Sequence, residues 1–85
     1  GARLRGADLS DAELGGDFSG ADLSGAVLRG ADLTRARLFG ADLSGADLTR
    51  ADLTGLDLKG VRLFGANLDA ARTEGADFTF ALRAE

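Results

Sequence analysis

Leucine recurs at every fifth position along most of this chain. The central stretch 40–55 reads GADLSGADLTRADLTG, in which Leu43, Leu48 and Leu53 each follow an Ala-Asp pair. On an α-helix a five-residue step rotates the side chain by roughly 140°, so the leucines would not share a face. On a straight strand the odd spacing sends successive leucines to opposite faces of the sheet. The pattern therefore predicts a coil, or solenoid, whose backbone bends in every pentad and whose leucines point to a common axis.

The residues around each Leu fit such a coil. Neighbouring turns would lie about 4.8 Å apart and join through parallel backbone hydrogen bonds, which satisfy peptide groups that would otherwise be unpaired. The Ala two positions before each Leu also points inward, where only a small side chain fits, and the remaining positions face solvent. Leu56 and Val61 occupy two of these small inward positions, so we expect the core to adjust around them.

This pattern resembles that of the pentapeptide-repeat family, A(D/N)LXX. The match runs from about Ala2 to Phe80 and is clearest at four places: Ala41-Asp42-Leu43, Ala46-Asp47-Leu48, Ala51-Asp52-Leu53 and Ala66-Asn67-Leu68. The resemblance implies an all-β fold, a right-handed quadrilateral parallel β-helix with four pentads in each coil and about four coils. The spacing of the leucines predicts a coil by itself, but it does not set the number of sides.

The length of the chain suits one domain, so we expect residues 1–85 to form a single β-helix. The repeat slips once, because Leu14 and Phe18 are only four residues apart and are joined through Gly15-Gly16. Adjacent glycines allow the backbone conformations that a tightened corner requires. We interpret residues 1–15 as an N-terminal coil that continues into the helix; the alternative is a first coil partly displaced from the rest.

The C-terminal segment 76–85 departs from the repeat in another way. Phe78, Phe80 and Leu82 alternate along it, and an open solenoid end exposes strand edges that must be covered. These three side chains are candidates for a cap or a dimer contact. The family resemblance implies a homodimer that forms end to end through such an apolar surface. As an alternative, residues 81–85 form a short helical turn.

Two aromatic residues occupy positions that should face water. Phe39 and Phe64 each follow a central Leu, where Ser or Thr is usual, and they are 25 residues apart, or one coil and one side. Exposed aromatic side chains are typical of interaction surfaces, so we treat this pair as a candidate interaction surface. The alternative is that each ring lies across its own sheet face or against a neighbouring Arg side chain.

The outward Asp residues allow two interpretations. In the first, they are turn residues whose carboxylates accept hydrogen bonds from nearby backbone groups. In the second, which the family resemblance implies, an acidic rod mimics duplex DNA and binds DNA gyrase or another type II topoisomerase. Fourteen acidic residues are largely offset by ten basic ones, for a net charge of −4. A short surface of mixed charge is a poor mimic of DNA, although an end-to-end dimer would double its length.

The composition excludes much chemistry. The chain has no Cys and no His, so it lacks disulfides, thiolate ligands and the commonest general base and metal ligand. Carboxylates repeated at a structural period do not form a catalytic site, and the calcium-binding nonapeptide repeat is absent. We predict no catalytic residues, no metal and no cofactor. The acidic balance argues against direct binding of nucleic acid, and no apolar run could span a membrane, so we expect a soluble, cytoplasmic protein.

These observations favour a non-enzymatic solenoid that acts as a structural or protein-interaction module with a protein partner. The alternative is a DNA mimic that inhibits or protects gyrase, as in quinolone resistance. A further alternative is a designed or excised repeat scaffold, because the middle of the chain is close to the consensus and the first residue is not Met.

Overall fold

The computed structural model describes residues 3–82, which wind into a parallel coil with four sides per turn. Parallel bridges join residues that are 20 positions apart, as in the series Asp22, Asp42, Arg62 and Leu82. Twenty residues are four pentads, so each pentad makes one side of the coil. The predicted all-β, quadrilateral parallel β-helix is confirmed. Within the described residues, no helix is long and apolar enough to cross a membrane.

Each side of the coil is short, so few residues form strands in the usual sense. Among residues 3–82 there are two strands, β1 (Gly16–Asp17) and β2 (Ala36–Arg37), which pair in parallel with Gly16 opposite Ala36. The other sides pair through one residue each, the residue between Ala and Leu. Such a residue both donates to and accepts from the preceding coil: Asp42 N–H donates to the Ala21 carbonyl at 2.9 Å, and the Asp42 carbonyl accepts from Leu23 N–H at 2.8 Å.

A β-turn at each corner explains why the repeat is five residues long. At the corner that follows Leu23, the N–H of Ala26 donates to the Leu23 carbonyl at 3.1 Å. Gly25 is the third residue of this turn and has a φ of +67°. A positive φ at that position is the mark of a type II turn and favours glycine. The corner therefore favours the Gly that ends most pentads, although Asp11, Arg50, Ala70 and Phe80 adopt a similar positive φ at the same position.

The core is a set of stacked Leu and Ala side chains along the coil axis. Leu56 and Val61 are buried like the Ala residues they replace, with 4% and 0% of their surface exposed. Burial of one Leu side chain contributes roughly 1.5–3 kcal/mol. The fully buried large side chains are Leu23, Leu28, Leu33, Leu38, Leu43, Leu48, Leu53, Leu58 and Val61.

The slip in the repeat changes the pairing by one residue without interrupting it. Before the slip, bridges join residues 19 apart, such as Glu13 and Asp32, and after it they join residues 20 apart. Gly16 absorbs the difference with a φ of +112°, a conformation that L side chains rarely adopt. Its N–H donates to the Arg35 carbonyl at 3.3 Å, so the backbone ladder continues from the first coil to the second.

The two ends of the coil are less well covered than its middle. Leu4, Leu9 and Leu14 at the N-terminal end are only partly buried, as are Leu68 and Phe78 at the other. Leu82 continues the ladder, because its N–H donates to the Val61 carbonyl at 2.8 Å. The expected helical turn over 81–85 is therefore wrong for Leu82, and the rest of that turn, residues 83–85, lies outside the described residues. The Cα envelope measures 26 × 25 × 24 Å, so the molecule is a block rather than a rod.

Candidate interaction surface

The four sides of the coil present four faces to solvent, which we name by their pentads. Successive pentads along the chain lie on adjoining faces, and pentads one coil apart lie on the same face. Face A comprises 16–20, 36–40, 56–60 and 76–80; face B, 3–6, 21–25, 41–45, 61–65 and 81–82; face C, 7–11, 26–30, 46–50 and 66–70; face D, 12–15, 31–35, 51–55 and 71–75.

The large exposed apolar side chains are confined to two adjoining faces. Among the described residues they are Phe39, Phe64, Phe80 and Leu82, with 59%, 40%, 83% and 46% of their surface exposed. Phe39 lies on face A, Phe64 and Leu82 lie on face B, and Phe80 stands at the corner where these two faces meet. In the described part of the chain, faces C and D carry no exposed large apolar residue.

Phe39 lies beside a cavity in face A. The cavity has a volume of about 330 Å³ and is lined by Ser19, Ala36, Arg37, Leu38, Phe39 and Asp57. Arg37 and Phe39 both point outward because they flank Leu38, whose side chain is buried in the core. The cavity therefore has an aromatic wall, a cation and a carboxylate within one small area.

Phe64 sits in a similar sequence but is more covered. The order Arg-Leu-Phe-Gly occurs at 37–40 and again at 62–65. The guanidinium carbon of Arg62 lies 5.5 Å from the centre of the Phe64 ring, within range of a cation–π interaction. Arg62 Nε also lies 3.7 Å from Asp42 Oδ2. Phe64 therefore fits the alternative in which the ring lies against a neighbouring Arg side chain. Phe64 still has 40% of its surface exposed.

The three C-terminal candidates lie in different environments. Phe78 is half-buried against the core. Phe80 is almost fully exposed and has a φ of +61°, a strained value for a residue with a side chain. Leu82 pairs with Arg62 in the backbone ladder. Their joint role as a cap or a dimer contact stays a prediction, but Phe80 and Leu82 also extend the apolar surface of faces A and B.

The outward Asp residues act as turn residues. Asp47 Oδ1 accepts hydrogen bonds from the N–H and the hydroxyl of Thr49 at 3.1 and 2.6 Å. Bonds of this kind, chiefly from the following Ser or Thr side chain, hold the pKa of seven carboxyls below its usual value. These are Asp8, Asp17, Asp22, Asp32, Asp47, Asp52 and Asp77.

In residues 3–82, no three Asp or Glu side chains are placed so that they could hold a metal ion.

A second cavity, of about 220 Å³, lies at the slip and is lined by Glu13, Leu14, Gly15, Asp32 and Arg35. Four ion pairs, such as Lys59 with Asp77 at 3.7 Å, lie on the surface, where such pairs contribute little to stability.

Four-sided coils, Ala-Asp-Leu sides and glycine corners define the molecule as a parallel β-solenoid of five-residue repeats. Residues 17–55 match the family profile described as pentapeptide repeats, in eight copies. The chain belongs to the pentapeptide-repeat family, as its sequence pattern predicted. A comparison with curated protein sequences finds no match.

Several solved structures share the fold. A pentapeptide-repeat protein, Rfr23, from the cyanobacterium Cyanothece 51142 superposes with a TM-score of 0.92 at 32% identity over 98% of this chain. One from the Arabidopsis thaliana thylakoid lumen gives 0.69 at 37% identity over 94%. QnrB1, a plasmid-mediated fluoroquinolone resistance protein, gives 0.54 at 25% identity over 98%. The chain spans 58%, 60% and 51% of the lengths of these three proteins.

Sequence reasoning singled out Phe39 and Phe64 but missed how Phe80 relates to them. It assigned Phe80 only to a C-terminal cap or dimer contact. The signal was present in the 20-residue period, because Phe80 falls in the same corner column as Gly20, Gly40 and Gly60. That column is the boundary between faces A and B, so Phe80 borders the faces that carry Phe39 and Phe64.

Proposed function

We propose that this chain is a non-enzymatic structural or protein-interaction module that binds its partner through faces A and B. One observation carries the proposal: the exposed large apolar side chains of the described residues all lie on these two faces. Exposed apolar patches with a polar border are typical of protein interfaces, and aromatic and Arg residues are typical of their anchors. Phe39 and Phe64, each with an Arg two residues before it, are the anchors we assign.

Binding experiments with matched variants test this proposal. The wild-type chain and the Phe39→Ser/Phe64→Ser double variant are immobilised and exposed to the same protein mixture. Val27→Ser is the control, because it removes an outward apolar side chain from face C. We expect a partner that the wild type and the control retain and the double variant loses, and whose purified form binds the wild type at least tenfold more tightly than the double variant. Equal binding by all three chains would contradict the proposal.

The second candidate function is that of a DNA mimic that binds gyrase or another type II topoisomerase. Two observations favour it: the family resemblance and the similarity to QnrB1, a fluoroquinolone resistance protein. The charge distribution weighs against it. Ten basic residues are interleaved with the fourteen acidic ones, which leaves a net charge of −4. We therefore place this function second.

A further inference from the structure

Face A carries acidic, basic and aromatic side chains in a regular arrangement. Its outward side chains form two columns that run along the coil axis, one on each side of the buried Leu or Phe. The first column is Asp17, Arg37, Asp57 and Asp77; the second is Ser19, Phe39, Lys59 and Thr79. Acidic, basic and aromatic side chains thus stand in rows across face A, and each row lies at one height along the coil axis.

Consider a second copy placed against face A and related by a two-fold axis parallel to the coil axis. This operation sets the first column of one copy against the second column of the other, at the same height. Arg37 then meets Phe39 of the second copy, and Asp57 meets Lys59. These rows would provide a cation–π contact and an ion pair, in which Lys59 would be shared between Asp57 of the second copy and Asp77 of its own chain, 3.7 Å away. The two outer rows set an Asp against a hydroxyl residue, so no row brings like charges together.

The opposite orientation is less favourable. If the two-fold axis were perpendicular to the coil axis, each column would face the same column of the second copy, in reverse order. Arg37 would meet Asp57, but Asp17 would meet Asp77, and like charges directly opposite are destabilising. The row pattern of face A therefore favours the parallel arrangement of the two coils.

The cavity next to Phe39 supports the same arrangement. Its volume is about 330 Å³, and its lining includes Arg37 and Asp57 of the first column and Ser19 and Phe39 of the second. In the parallel dimer, the Phe39 ring of each copy enters the cavity beside Arg37 of the other. A two-fold, or isologous, interface uses the same surface of both copies. Each copy therefore contributes one exposed Phe39 ring and one cavity to it.

Net charge also favours face A over faces C and D as the contact between two copies. Faces C and D each carry four acidic residues against two basic ones, whereas face A carries three against two. Two copies with a net charge of −4 each repel one another less through face A than through face C or face D. Face B is less acidic still, with three basic residues against two acidic ones, but Arg62 already lies over its aromatic ring, Phe64.

We propose that a second copy of this chain binds side by side on face A, in a parallel two-fold dimer centred on Phe39. The dimer goes beyond the proposed function, because it concerns the chain with itself. A second copy and another protein would compete for Phe39 on face A, whereas Phe64 on face B stays exposed in the dimer. Two faces of this size would bury on the order of 1,000 Å² in total, near the lower end of specific interfaces. We therefore expect a dissociation constant of about 10–100 μM.

Sedimentation equilibrium of the full chain from 5 μM to 1 mM is the first test. We expect a monomer–dimer equilibrium that Phe39→Ser weakens at least tenfold. Phe64→Ser is the matched control on face B, and Thr73→Lys is the control for the end-to-end dimer, because Thr73 is exposed at the C-terminal end of the core. Both controls should dimerise like the wild type. Circular dichroism confirms that each variant is folded.

A charge-exchange pair then tests the orientation. Asp57→Lys puts Lys against Lys in the dimer, and Lys59→Asp puts Asp against Asp, so each variant alone should be monomeric at 100 μM. A one-to-one mixture restores both opposite-charge rows and should form heterodimers. Recovery in the mixture supports the parallel arrangement, because only there does residue 57 face residue 59.

Three results would overturn the proposal. The first is a wild-type chain that stays monomeric at 1 mM. The second is a dimer that Thr73→Lys or Phe64→Ser disrupts while Phe39→Ser does not, which would place the contact at the C-terminal end or on face B. The third is a mixture of the two charge variants that stays monomeric.

Discussion

Asp47 shows why Asp precedes Leu in so many pentads. Its Oδ1 accepts from the backbone and side chain of Thr49, so the residue closes the turn that follows Leu48. Asn67 occupies the same column one coil later, and its Oδ1 accepts from the N–H of Asp69 at 2.9 Å. An amide oxygen thus replaces the carboxylate, so the acceptor rather than the charge supports this turn. Val27 lies in the same column and has no acceptor, and the corner after it still forms, with Ala31 N–H donating to the Leu28 carbonyl at 3.1 Å, so the acceptor adds to the turn without being required by it.

The lowered pKa values predict that acid weakens the fold. A carboxyl whose folded pKa lies below the usual 3.8 contributes stability that is fully present above that value and is lost as the pH falls through the folded pKa. Seven such groups act in the same direction. We expect the urea midpoint of unfolding to be nearly constant from about pH 7 to 5 and to fall between about pH 4 and 2. A midpoint that stays constant to pH 2 would contradict this.

Substitutions at Asp47 test whether its hydrogen-bond acceptor or its negative charge stabilises the fold. Asp47→Asn keeps an acceptor oxygen, as at Asn67, so we expect little change in the urea midpoint at pH 7 and a smaller loss below pH 4. Asp47→Ala removes the acceptor and should lower the midpoint at both pH values. The ion pair of Asp47 with Arg29, at 3.7 Å, is exposed and should not alter this order. If the Asn and Ala variants behaved alike at pH 7, the acceptor role would be excluded.

Adjacent residues on one side of the coil should differ sharply in their effect on stability. Phe39 is exposed and Leu38 is buried. We expect Phe39→Ser to change the free energy of unfolding by no more than about 0.5 kcal/mol, and Leu38→Ala to cost about 2–5 kcal/mol through the cavity it leaves. Urea unfolding of both variants at low protein concentration measures this difference. A loss of several kcal/mol for Phe39→Ser would show that the ring belongs to the core.

The glycine pair at the slip predicts an insertion that the fold should accept. An Ala placed between Gly16 and Asp17 completes the missing pentad, so the first coil can pair with the second at the regular spacing of 20 residues. It would also release Gly16 from its φ of +112°. We expect this variant to be folded and at least as stable as the wild type, as measured by its thermal midpoint.

An insertion elsewhere is the control for the slip. An Ala placed between Gly45 and Ala46 shifts every later residue by one position, so inward and outward side chains no longer match the coil. We expect that variant to unfold or to lose most of its cooperativity. Equal tolerance of both insertions would show that the pairing register is weakly specified, contrary to the buried Leu columns.

The sequence predicted the coil, its inward Leu and Ala residues and the position of the slip, because a five-residue period dictates which side chains can reach the axis. The five-residue spacing by itself did not set which pentads lie above one another. The family resemblance implied four pentads in each turn, and the bridges between residues 20 positions apart confirm it. The arrangement of face A, with Phe39 beside its cavity, follows only once that turn is known. The partial cover of Phe64 by Arg62 depends on a side-chain rotamer, which no repeat pattern determines.

The whole molecule differs from duplex DNA in both shape and charge. Its Cα envelope is about as wide as it is long, at 26 × 25 × 24 Å. A duplex segment 24 Å long carries about 14 negative charges, at one per 1.7 Å, whereas the chain has a net charge of −4. A side-by-side dimer on face A would widen the block without lengthening it, so dimerisation through this face would not make it more like DNA.

These properties predict no effect on gyrase. We expect supercoiling of relaxed plasmid by purified gyrase to be unchanged with up to about 50 μM of the chain, because an acidic competitor gains affinity for a DNA-binding surface mainly through charge density. The triple variant Arg37→Glu/Lys59→Glu/Arg62→Glu shifts the net charge by −6 from −4 and serves as the comparison. Inhibition by this variant alone would show that charge is what the wild type lacks. Inhibition by the wild type that weakens as salt is raised would instead favour the DNA-mimic function over the interaction module.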